Sequence, residues 1–275
     1  MVETKKEFDI FNDLLKAAEQ GDTEAMMELG SWYDLGYGDG KPNDILAFEW
    51  YKKAAENGNA CGMSNVAEFY YSGWTNTSKD IEKAIEWFLK AATAGDDRAM
   101  FKLGLCYSRG EGVIKDQEIA VYWFSKAAEK GNVLAMYRLG CHYFKGEGDE
   151  KDISKALKWF KKASKKKHEG AMAIIGEMYR TGDGVRQDLK KANEWFNKAT
   201  ENGSKDGILS LANKYECGND VIPKDKNQAL FWYSKMAEKG DTFAKERIAV
   251  LNGDVIDNDI VTYTSIGIIR SKSNS

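Results

Sequence analysis

Apolar and polar positions along the chain follow a helical period, and one short pattern returns again and again. Ala99, Leu103 and Tyr107 fall at i, i+4 and i+8, a single apolar stripe on a first helix. Ala120, Trp123, Phe124, Ala127 and Ala128 fall at i, i+3, i+4, i+7 and i+8, a fuller stripe on a second helix. Residues Ala99 to Asn132 are therefore read as two short antiparallel helices, and the rest of the chain as variations on that unit. Trp50, Trp87, Trp123, Trp159, Trp195 and Trp232 set the register, separated by 37, 36, 36, 36 and 37 residues. A period of about 20 to 50 residues marks a solenoid or array, in which no unit can bury its apolar stripe alone.

Small residues are part of the pattern. Gly104, Ala127 and Ala128 let two helices approach, because interaxial distance follows the side chains at the contact, and Trp and Phe fill the remaining space. Asp116 stands just before the second helix as an N-cap candidate, with equivalents at Asp80, Asp152, Asp188 and Asp225. Gly131 followed by Asn132 reads as a C-terminal glycine and the cap of the next helix. The pair returns as Gly21-Asp22, Gly58-Asn59, Gly95-Asp96, Gly203-Ser204 and Gly240-Asp241. At Lys167-His168 it fails, so either a lysine adopts a left-handed conformation or the turn differs.

The ends depart from the unit. Phe8 to Gly21 resembles a second helix without its tryptophan, and is expected to cap the array within residues 1–23. Six units then span 24–241, a capping helix 242–254, and an extended or disordered tail 255–275. The tail is rich in Ile, Val and Tyr without helical spacing. Trp74, in the loop of the second unit, lies outside both packing stripes.

Charge and cysteine content narrow the function classes. With 40 basic and 43 acidic residues the net charge is −3, so no strong field draws the whole chain to nucleic acid or anionic lipid. No stretch approaches the about 18 apolar residues that a membrane span needs, and the N-terminus has no uninterrupted apolar run of the secretory kind. Cys61, Cys106, Cys141 and Cys217 are too sparse for a disulfide per repeat, which places the chain in a reducing cytoplasm.

Candidate chemistry is thin. Gly110 and Gly112 with their copies join two helices, whereas a phosphate-binding loop follows a strand. Cys106 and His142 occupy the same position one unit apart, and no spacing completes a metal set. No nucleophile has a base and an orienting group beside it in the pattern. No metal, cofactor or enzymatic activity is expected. Lys161, Lys162, Lys165, Lys166 and Lys167 read as a solvated outer helix face. Met26, Met63, Met100, Met136 and Met172 form a column read as core.

The pattern Ala-x-x-x-Leu-Gly-x-x-Tyr, a Gly-x-Gly-Val loop, Asp, then Ala-x-x-Trp-Phe-x-Lys-Ala-Ala-x-x-Gly is met almost letter for letter by residues 99–131, with Ile119 where a lysine belongs. It resembles the Sel-one-like repeat family, relatives of the tetratricopeptide repeat, and the resemblance covers residues 24–241. It implies an all-α fold, a right-handed α-α superhelix or α-solenoid, and a module that binds other proteins.

The resemblance also implies where. In tetratricopeptide-like arrays the first helix of each unit lines the concave surface. The corresponding residues are Arg98, Phe101, Leu105 and Ser108 in the third unit, and Leu134, Tyr137, Cys141 and Phe144 in the fourth. The second unit supplies Cys61, Ser64, Glu68 and Tyr71; the fifth supplies Gly170, Ala173, Glu177 and Arg180. The expectation is a monomer whose aromatic groove centre anchors a protein or peptide, with Glu68, Glu177, Arg98 and Arg180 setting orientation. The runner-up is an immunity protein that occludes the active site of a cognate toxin, a role relatives of this family fill. An enzyme, the third class, has only the cell-wall or β-lactam chemistry linked to some secreted relatives behind it.

Overall fold

The computed structural model describes residues 2–37, 41–73, 78–146, 151–202, 205–218 and 222–253. Trp74, the tail after Gly253, the pair Gly203-Ser204 and part of the glycine-rich loop 36–40 lie outside the described residues. Fourteen α-helices and no strands occur among the described residues. They are α1 (Val2–Glu19), α2 (Thr23–Leu35), α3 (Asp44–Glu56), α4 (Ala60–Ser72), α5 (Ile81–Thr93), α6 (Asp97–Arg109) and α7 (Gln117–Glu129). They continue as α8 (Val133–Lys145), α9 (Ile153–Lys165), α10 (Glu169–Thr181), α11 (Leu189–Asn202), α12 (Lys205–Cys217), α13 (Lys226–Glu238) and α14 (Thr242–Asn252).

The chain divides into two compact units, residues 1–159 and 160–275. In the first, α2 packs on α3, α4 on α5 and α6 on α7, and each pair leans on the next. In the second, α10 packs on α11, α12 on α13 and α13 on α14, with α10 also meeting α12. Even-numbered helices from α2 are the first helices of the sequence pattern, odd-numbered ones from α3 the second. Stacked helix pairs of this kind are the all-α solenoid that the spacing predicts.

Three of the pairs, α2 with α3, α6 with α7 and α10 with α11, are locked by one ring over one glycine. A Cβ built on Gly104 would stand 2.5 Å from the Phe124 ring, and one on Gly176 would stand 2.6 Å from the Phe196 ring. The Tyr51 ring covers Gly30 in the same way. Leu29, Leu103 and Leu139, one residue earlier, are fully buried, each contributing about 1.5–3 kcal/mol by leaving water. The methionine column is core: Met26, Met100, Met136 and Met172 are buried, and Met63 packs against the Tyr51 and Phe69 cluster.

The tryptophans sit differently. Trp87 is half-buried against Ala47, Tyr51, Val66 and Phe69, which come from α3 and α4, so it joins one repeat to the one before. A lysine three residues on covers the exposed side of the indole: Lys53 lies 3.9 Å from Trp50, Lys90 4.3 Å from Trp87 and Lys198 4.6 Å from Trp195. Trp232 departs from the column and is fully buried, its ring 5.8 Å from Phe196 and stacked on Tyr215.

Caps fall where the sequence places them. Asp80, Asp116, Asp152, Asp188 and Asp225 each accept a backbone N–H from the first turn of their helix. Asn132 accepts from Ala135 N–H at 2.9 Å, after Gly131 at φ 100°. At the exceptional turn the lysine does adopt the left-handed conformation: Lys167 has φ 67°, the one non-glycine residue described with positive φ. That geometry costs an L-residue about 1–2 kcal/mol. His168 then caps α10, its Nδ1 accepting from Ala171 N–H at 3.2 Å.

Candidate partner-binding face

Arg98, Phe101, Leu105 and Ser108 share one stripe of α6 by their spacing, turned away from the buried stripe of Ala99, Leu103 and Cys106. The stripe is not uniformly open. Phe101 is only 9% exposed, its ring 5.8 Å from Phe124. The absent side chain at Gly104 lets the Phe124 ring rise close to the helix, and Phe101 folds over it. The expectation that Phe101 offers a free anchor is therefore corrected: it is a packing residue.

The charges predicted to steer a partner are already engaged between helices. Glu68 on α4 takes the Lys102 ammonium of α6 at 2.8 Å. Lys102 also lies 5.4 Å from the Tyr71 ring, and the Tyr71 hydroxyl donates to the Glu111 carboxylate. Burial first, and that hydrogen bond second, push the Tyr71 phenol well above its ordinary value. Glu111 meets Arg109 at 3.5 Å. Arg98 donates to Asn65 at 3.3 Å and stands 3.7 Å from the buried Asp96 carboxylate. A ladder of polar contacts thus ties α4 to α6 across this face.

In the second unit the predicted charges lie deeper. Glu177 is buried, and Arg180 donates to it twice, at 2.6 and 2.8 Å. Arg180 also stands 3.3 Å from Asp225, the cap of α13. Asp80, Asp152 and Asp188 instead pair with a lysine three residues on, at 3.0, 3.3 and 3.2 Å. The sixth repeat has Gln228 at that place, and Arg180 of the fifth supplies the cation. Gly170 and Ala173, the other expected groove positions of this repeat, are buried. Glu177 is therefore a structural carboxylate, another correction to the expected steering set.

On α8 the accessible positions of the stripe are apolar. Leu134 is 51% exposed, and Tyr137, Cys141 and Phe144 are half-buried along the same stripe, with Leu105 of α6 likewise half-buried. Lys151 lies 5.1 Å from the Phe144 ring, and Arg138 is exposed beside Tyr137. Leu134 shares its repeat position with Arg98 and was legible in the stripe from the start. The ladder of Glu68, Lys102, Tyr71 and Glu111 was missed; its signal is opposite charge at complementary positions of adjacent repeats.

Catalytic chemistry finds little footing. Burial pushes the Cys106 thiol up to about 11, away from the thiolate that a nucleophile or metal ligand needs. Burial, with Asp96 beside it, raises Cys61 too. All four cysteines are free thiols. Among the described residues no group of three His, Cys, Asp or Glu side chains could hold a metal, and no helix is long and apolar enough to cross a membrane.

The model of the family described as Sel1 repeat matches six segments, 23–59, 62–96, 97–132, 133–168, 170–204 and 206–241. Among solved structures, a Sel1 repeat protein from Oxalobacter formigenes is 31% identical with a TM-score of 0.68, over 86% of this chain and 100% of that one. A protective antigen present in uropathogenic Escherichia coli strains, displaying an SLR fold, is 31% identical with a TM-score of 0.60. That match covers 88% of this chain and 59% of the antigen, so the chain spans little over half of its length. An immunity protein from Pseudomonas aeruginosa is 21% identical with a TM-score of 0.49, over 78% of this chain and 81% of that one, too distant to bear on function. A comparison with curated proteins finds no match.

Proposed function

The chain belongs to the Sel1 repeat family, and from that premise we propose that it is a non-enzymatic module that binds a protein or peptide along its first helices. The observation that carries the reading is Leu134, half exposed on the stripe that also presents Tyr137, Cys141 and Phe144. Repeats two and three fill three of the matching positions with Glu68, Tyr71 and Arg98, each of which pairs across to the adjacent repeat. On α8 the same positions are apolar. Leu134 and the aromatic edges of Tyr137 and Phe144 supply anchor area, and Arg138 supplies a charge at its rim. The contact is centred on α8 and Leu105, a narrower place than the sequence alone suggests.

The test is crosslinked capture from native cells, repeated with Leu134→Asp and Tyr137→Ala. Both substitutions lie at positions that are not fully buried, so helicity by circular dichroism should hold while the captured partner falls by about tenfold, the scale of a single anchor. Capture of one toxin domain alone would narrow the reading to a neutralising protein. Unchanged capture with both variants would end it.

A further inference from the structure

A second candidate surface belongs to the second unit, residues 160–275. The end of α9 and the turn after it read Lys161, Lys162, Ala163, Ser164, Lys165, Lys166, Lys167: five lysines in seven residues and no acid. All five lysines are exposed. In the five equivalent stretches, 52–58, 89–95, 125–131, 197–203 and 234–240, the net charge never exceeds one. Those stretches balance themselves: Lys52 pairs with Glu56 at 3.8 Å, Lys126 with Glu129 at 3.8 Å and Lys235 with Glu238 at 3.4 Å. Lys165 occupies the place of Glu56, Glu129 and Glu238. Among the described residues, Lys161, Lys165, Lys166 and Lys167 form no ion pair.

Packing of the repeat does not account for this. The helix dipole favours cations in a last turn, but the other second helices have one lysine or none there, whereas α9 has Lys162 and Lys165 and the turn after it adds two more. Lysines three and four apart repel one another across a helix face. Lys167 adds a second, independent observation: it holds a left-handed backbone at φ 67° where the matching turns carry Gly58, Gly95, Gly131 and Gly240. Repulsion and backbone strain thus coincide in one exposed stretch. The left-handed turn belongs to the repeat, so the strain comes from a lysine standing where a glycine would serve, and a side chain kept at that cost points to a role at the surface.

We propose that Lys161–Lys167 is a docking surface for an acidic polypeptide segment, a run of Asp and Glu on a partner protein. The chemistry selects that class over other polyanions. Phosphate recognition favours the forked guanidinium of arginine, and the cluster has none. Single-stranded nucleic acid also needs aromatic faces on which bases stack, and a membrane surface needs exposed apolar side chains to insert. The stretch offers neither, since its one apolar residue, Ala163, is fully buried. Flexible lysines suit dispersed carboxylates on a mobile acidic chain.

Fluorescence anisotropy with dye-labelled octaglutamate at low salt tests this on the full chain. Binding should weaken by about tenfold in K161E/K165E/K166E, with the α-helical circular dichroism unchanged, and fade as salt screens the surface. The variant K52E/K126E/K235E has the same net charge and should bind as the parent does. Absence of octaglutamate binding overturns the proposal, as does equal loss in both triple variants, which would mean that overall charge alone is sensed. Tighter binding of a thymidine octanucleotide or of phosphatidylserine vesicles than of octaglutamate overturns the assigned partner class. None of these outcomes depends on whether the α8 stripe binds its own partner.

Discussion

The two units solve one electrostatic problem in different ways. In the first, Glu68 reaches forward to Lys102 of the next repeat, and both side chains stay about one-third exposed, at 34% and 32%. In the second, Glu177 at the same repeat position turns to Arg180 on its own helix and sinks to 9% side-chain exposure. Arg180 then reaches Asp225, and Glu216 gathers both the Tyr233 hydroxyl and the Arg247 guanidinium. One template thus carries a solvent-screened ladder at one place and a buried cluster at another. The contrast separates a pairing that solvent screens from one that is buried.

Glu177→Gln against Glu68→Gln is the widest test of that contrast. Leaving the Arg180 fork without its carboxylate should cost about 2–3 kcal/mol in chemical denaturation, because a buried pair loses most when one partner goes. Glu68→Gln should cost under about 1 kcal/mol, as exposed pairs do. Equal losses would erase the distinction between the units. Gly104→Ala and Gly176→Ala probe what the units share: each added methyl meets a ring, and each should cost about 1–3 kcal/mol by overpacking. A large loss in only one of them would show that the seat is not common to both.

Smaller effects sharpen the comparison. Lys167→Gly relieves the left-handed lysine and should raise stability by about 1 kcal/mol, whereas Gly131→Lys at the matching turn should lower it; a melt that moves in neither direction sinks the strain argument. The smallest expected effect is alkaline. Burial first, and the charge of Asp34 second, push the Tyr51 phenol up to about 12 from an ordinary 10.0. The unfolded chain therefore releases this proton first, so the stability it contributes is whole below about pH 10 and drains as pH rises toward 12. Tyr51→Phe should move the midpoint of alkaline unfolding upward, followed by helical circular dichroism.

Much of the fold was legible because its causes are local and repeated. The tryptophan spacing, the stripes of α6 and α7 and the capping aspartates need only a helical period and a one-residue backbone rule. The face was less legible because its facts are set between helices. Phe101 reads as exposed from its stripe alone; only the closeness of Phe124 to Gly104 shows that it is covered. Glu68 and Lys102 stand 34 residues apart, and Arg180 and Asp225 45 apart, so the partners of each pair come from different repeats. Leu134 is legible because it shares with Arg98 the first-helix position that lines the concave surface in the arrays this sequence resembles.

The ring seated on a glycine has a consequence for how such a chain can lengthen. Gly104 and Phe124, like Gly30 and Tyr51 and like Gly176 and Phe196, belong to the same copy of the unit, so each of these three copies carries its own gauge for the distance between its two helices. Duplicating or deleting a whole copy leaves that gauge intact and asks only that flat outer rings meet the next copy. Growth by tandem duplication is thereby open to this architecture, while the loss of half a copy would strand a ring without its seat.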